Sequence, residues 1–170
     1  MNLWIIVIIV AVVAMVLGPI MMLQPNATQR KQEELRRRAM ELGLRVKIVS
    51  LPKLNTDAET PAALPVYYLP DEASGKRMPR TGWLLIRMPY AHEAHFNGTW
   101  QWHGDGRASA AELAALNEIV AVLPPSVRAV EANVEGYGFY WSESGGVNRL
   151  ETLVPLLHQL QAAGKAGARG

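Results

Sequence analysis

Cysteine is absent from all 170 residues. Its absence excludes disulfide frameworks, thiolate metal sites, a cysteine nucleophile and a lipid anchor attached to cysteine. A large excess of one charge is missing as well. Lys and Arg number 17 against 15 Asp and Glu, a net of +2, which is too weak for a chain built around nucleic acid. Nucleotide-binding and hydrolase signatures are also lacking. Glu143-Ser144-Gly145-Gly146 precedes a helical pattern but contains neither G-x-x-x-x-G-K-[ST] nor G-x-G-x-x-G, and Ser142 and Ser144 have no G-x-S-x-G elbow around them. These glycines read as tight-turn residues. Apolar residues, in contrast, are plentiful. They make up 49% of the chain, enough for a buried core in one domain of ordinary size.

The first third lacks charge in one long run. Leu3 to Leu23 contains no Asp, Glu, Lys or Arg. At about 1.5 Å per residue such a helix reaches roughly 30 Å, the thickness of a bilayer hydrocarbon core, so residues 1–25 are expected to form one transmembrane anchor. A cleaved signal peptide fits less well, because no Lys or Arg precedes the run and no A-x-A-like site follows it. Arg30, Lys31, Arg36, Arg37 and Arg38 all lie within 15 residues after the run. Cationic flanks stay inside, which places the N-terminus outside and the remaining chain in the cytoplasm, at a bacterial inner (cytoplasmic) membrane.

Residues 26–43 read as a basic juxtamembrane helix, with Asn26 as cap, Leu35, Ala39 and Leu42 as an apolar stripe and Gly43 as a stop. Between residues 30 and 53 there are eight Lys/Arg against three acids, whereas from 54 onward nine basic residues face twelve acidic ones. Two readings follow: a topology signal on a solvated helix face, or a surface for anionic lipid headgroups formed by the same five cations.

After Gly43 the periodicity shifts toward two. Leu44, Val46 and Ile48 alternate with Arg45 and Lys47 as in a half-exposed strand. Leu51 to Leu64 is loop-like. Val66-Tyr67-Tyr68-Leu69 between Pro65 and Pro70 suits an edge strand, and Trp83 to Met88 suits a central one. Thr99 to His103 alternates with both tryptophans on one side. Ser109 and Glu112 form a capping box before a helix bearing Leu113, Leu116, Val120 and Leu123, which Pro124-Pro125 ends. Val127–Ala132 and Tyr137–Trp141 are two more strands. A last helix runs through Leu150, Leu153, Leu157 and Leu160, bent or delayed by Pro155. The expected fold is α+β: one N-terminal transmembrane helix, then a soluble domain at 44–163 with a mostly antiparallel sheet of about five or six strands and two or three helices, and a disordered tail at 164–170.

Candidate chemistry is sparse. His92, His95, His103 and Asp105 are residue types that bind metal or move protons, which points to a tethered metal- or His-dependent enzyme as the alternative function. The spacing His92-Glu93-Ala94-His95 lacks the i,i+4 pair of H-E-x-x-H, and Pro89, Asn97 and Gly98 put it in a hairpin loop. Neither a cofactor nor a metal is assigned. Trp100 with Trp102, and Tyr137 with Phe139 and Trp141, line strand faces that form either the core or, at the tryptophans, a groove for a partner protein. Thr99, Gln101, Glu135 and Glu143 beside them do not favour phosphate.

One apolar span, then Pro25 and the basic helix from Gln29-Arg30-Lys31 to Arg38, resembles the start of YajC-type accessory subunits of the Sec translocase. The likeness covers about 40 residues and implies an accessory role at a membrane-associated partner. The leading expectation is a single-pass inner-membrane protein whose cytoplasmic domain binds another protein and carries out no catalysis.

Overall fold

The computed structural model describes residues 2–22, 26–54, 59–70, 82–89 and 96–167, with side chains on the first helix described as far as Leu17. Two compact units divide the chain, Met1–Glu33 and Glu34–Gly170. The elements follow in the order α1 (Leu3–Met22), α2 (Ala27–Glu41), β1 (Arg45–Ser50), β2 (Ala63–Leu69), β3 (Trp83–Arg87), β4 (Trp100–His103), α3 (Ala110–Val122), β5 (Val127–Asn133), β6 (Gly136–Trp141) and α4 (Gly146–Gly167). The class is α+β, with six antiparallel strands and four helices among the described residues.

The expectation of a transmembrane anchor over residues 1–25 is corrected. Among the described residues no helix is long and apolar enough to cross a membrane. Helix α1 forms, but its described side chains extend only from Leu3 to Leu17. At about 1.5 Å per residue that stretch reaches roughly 22 Å, short of a hydrocarbon core of about 30 Å. Gly18 and Pro19, where a kink was expected, lie beyond the described side chains.

Six strands form one sheet in the order β1-β2-β6-β5-β3-β4. Each neighbouring pair is antiparallel. Two strands sit elsewhere than their sequence suggested. β2 lies inside the sheet despite its prolines, because β6 pairs only with Val66–Leu69 while Pro65 faces Ile48 of β1. β3 lies one strand in from the edge, and the centre belongs to β5 and β6. All six residues of β6 are buried, although two of them are glycine.

The alternating faces of the sheet carry two cores. One face presents Tyr67, Trp83, Leu85, Trp100, Trp102, Val130, Tyr137, Phe139 and Trp141 to Leu35 and Ala39 of α2, Leu116 and Ile119 of α3, and Leu150, Leu157 and Leu160 of α4. A register shift between Val127 and Ala129 lets Val127 and Val130 share that face. The opposite face presents Val66, Tyr68, Ile86, Ala129 and Tyr140, packed against Leu51 with Leu54 and Leu64 beside it. Burying a Leu, Val or Phe side chain contributes about 1.5–3 kcal/mol, so the larger cluster dominates stability.

The helix ends follow their local signals. Gly43 at φ +79° stops α2 where a side chain would be strained. Ser109 accepts from the Glu112 N–H while the Glu112 carboxylate takes the Ser109 N–H at 2.7 Å. α4 starts at Gly146 rather than at Asn148 and passes through Pro155. It continues to Gly167, with Gly164 buried, so the tail expected from residue 164 is helical through Gly167.

Candidate functional site

The residues singled out in the sequence occupy very different environments. Trp100 and Trp102 are only 3% and 7% exposed and lie in the larger core. Trp102 meets Trp83 edge-on at 5.7 Å and Phe96 at 5.3 Å, while Arg87 stacks 4.6 Å from the Trp100 ring. Their cleanly alternating strand placed both side chains on the helix-covered face. His92 and His95 fall outside the described residues. His103 is half-buried on β4 and Asp105 is exposed. Among the described residues no group of three or more His, Asp or Glu is arranged to hold a metal.

The five cations of α2 divide into two sets. Arg36 donates from Nε to Glu143 at 2.9 Å, and Tyr67 donates its hydroxyl to the same Oε1 at 2.9 Å. The Glu143 side chain is only 5% exposed, and its backbone sits at φ +61°, a conformation non-glycine residues rarely adopt. Burial, then the Glu143 carboxylate, pushes the Tyr67 hydroxyl above its ordinary range, so it remains a donor. Arg38 bridges to Glu151 at 2.9 Å and to Glu41 at 3.2 Å, and Arg37 lies 3.9 Å from Glu41. Arg30 and Lys31 are exposed and have no partner among the described residues. Sequence reading identified the cations but not Glu143 and Glu151, which lie 107 and 113 residues downstream.

Two carboxylates are buried in the sheet region, neither of them flagged by a motif. Glu112 takes the Tyr137 hydroxyl at 2.5 Å. On the other face Glu131 accepts from Tyr68, and Asn133 donates to the Tyr68 oxygen at 3.3 Å. Burial first, and then Glu131, raises both Tyr68 and Tyr140 far above the usual phenol range. These groups are satisfied donors and acceptors inside a packed sheet, the arrangement that fixes a core.

The most conspicuous open surface belongs to α1. Every described side chain from Leu3 to Leu17 is exposed, including Trp4 at 76%, Val10 at 61% and Met15 at 80%. None is charged. Such continuous exposed apolar surface marks an interaction site, since scattered exposed apolar residues are ordinary but a contiguous patch is not. Comparison with family models, with curated proteins and with solved structures finds no match for this chain.

Proposed function

We propose that the chain is an accessory interaction module that acts by binding rather than by catalysis, with α1 as the element that docks it to a membrane-associated protein. The observation that carries this reading is the unbroken exposed apolar surface from Leu3 to Leu17. Left in water, that surface forgoes about 25 cal/mol for each Å² that a partner would cover. The cationic stretch that follows supports a place on the cytoplasmic side of a bacterial inner membrane, where anionic surfaces attract Lys and Arg. Arg30 and Lys31 are the cations available for such headgroups. The resemblance of the first 40 residues to translocase accessory subunits makes that machinery the first partner to look for.

The test is affinity purification of the full-length chain from native membranes in mild detergent. A stoichiometric protein partner is expected, lost when Val10 and Val13 are both replaced by Arg. Recovery of the chain alone in several detergents, or a partner retained by the double variant, would overturn the reading.

A further inference from the structure

A cavity of about 430 Å³ opens beside the smaller core cluster, at the end of the sheet where β2 and β5 begin and β3 ends. Leu51, Leu54, Leu64 and Ile86 form its apolar walls, with Pro52 and Pro61 in the segment that covers it. The only charged residues lining it are Arg87 and Arg128. We propose that this cavity binds a single-chain anionic amphiphile, with its acyl chain against the leucines and Ile86 and its carboxylate held by Arg128 and Arg87.

Three observations converge on that ligand class. The volume falls within the roughly 300–1,000 Å³ of small-molecule sites, which are mainly apolar with a few placed polar groups. The two guanidiniums are not neutralised. Arg87 gives Nη1 to the Pro124 carbonyl at 2.6 Å and Nη2 to the Leu123 carbonyl at 2.9 Å, both uncharged acceptors. These bonds fix its position and leave further donors of its five N–H groups for a ligand. Arg128 is exposed and has no ion-pair partner among the described residues. Burial and then the neighbouring Arg128 charge lower the affinity of Arg87 for its proton, as expected where two cations share a site without an anion.

The walls and the charges restrict the ligand together. A small anion would relieve the repulsion but leave the leucines wet. An uncharged hydrocarbon would fill the walls but leave the cations unpaired. A carboxylate on an alkyl chain does both, and a guanidinium binds carboxylate through two parallel N–H donors.

The experiment uses the full-length chain and dodecanoate carrying a photoreactive diazirine on its alkyl chain, with crosslinked peptides mapped by mass spectrometry. Labelling is expected on residues 51–64 and 86–89. Excess dodecanoate should displace it, while dodecanol and acetate at the same concentration should not. Arg128→Gln should reduce labelling at sub-saturating probe about tenfold or more, the loss of one charge-assisted bond. Ala62→Trp, an exposed position on the cavity wall, should block it by filling space. An unchanged unfolding temperature in each variant separates a lost site from a lost fold. Labelling confined to residues 3–17 would overturn the proposal, as would equal competition by dodecanol, equal competition by acetate, or unaltered labelling of Arg128→Gln. The outcome does not depend on whether α1 docks to a protein.

Discussion

Gly164 shows how little room one position can have. A methyl group built there would lie 1.7 Å from the Tyr137 hydroxyl oxygen and 3.2 Å from Oε1 of Glu112. Gly164→Ala should therefore cost about 1–3 kcal/mol through overpacking, measured by urea denaturation, although alanine normally favours a helix. A neutral or stabilising result would mean that α4 shifts freely over the sheet. The carboxylate beneath it predicts acid sensitivity. Burial pushes the Glu112 carboxyl up, but the hydrogen bonds from Tyr137 and Ser109 outweigh it and hold the group below its ordinary value. A depressed folded-state value means its stabilisation is complete above the unfolded carboxyl range, about 4.3, and fades as pH falls through the folded value. Wild-type Tm should drop between about pH 5 and pH 3, and Glu112→Gln should flatten part of that drop. Identical acid profiles would remove Glu112 from the account. The capping box of Ser109 and Glu112 was legible as a four-residue pattern. The Tyr137 bond was not, because it joins residues 25 apart in sequence through the packing of a helix on a sheet.

At the scale of elements, α2 separates two kinds of arginine. Arg36→Gln removes the charge paired with a carboxylate that is nearly all buried and should cost about 1–3 kcal/mol. Arg38→Gln breaks a bridge whose two side chains are 41% and 48% exposed, and should cost less than about 1 kcal/mol. Thermal unfolding of the two single variants checks the order, and a larger loss at Arg38 would invert the assignment. The cationic helix itself was visible from Asn26, Gly43 and the stripe Leu35–Ala39. Its docking through Glu143 was not, because charge spacing on one helix says nothing about an acid on a distant turn. The strands show the same limit. Alternation located β1, β3 and β4, but it could not rank them across the sheet. Pro65 signalled an edge, yet it needs only one side of β2 free of hydrogen bonding at its own position, and β6 stops at Val66.

For the whole molecule, the division at Glu33 and Glu34 predicts how the chain comes apart. Residues 34–170 hold both apolar clusters and should unfold in one cooperative transition, reported together by tryptophan fluorescence and far-UV circular dichroism. Amide exchange in α1 should not follow that transition. Separate midpoints for β-sheet and α4 signals would show that the second unit is not one cooperative body. The α+β class, the order of elements and most core positions were readable, because periodicity and caps are local. The cavity at Arg87 and Arg128 was not, because it is assembled from four separate stretches of chain.

The strand order also bears on synthesis. β1 with β2 and β3 with β4 make two hairpins early, but β6 and β5, the strands that join them, are translated last. Until Trp141 has left the ribosome, the inner margins of β2 and β3 have no partner and remain open to pairing with other chains. A message truncated before that codon would yield two sticky ribbons instead of a smaller working protein, and a slow stretch of translation upstream of residue 127 would lengthen the exposure.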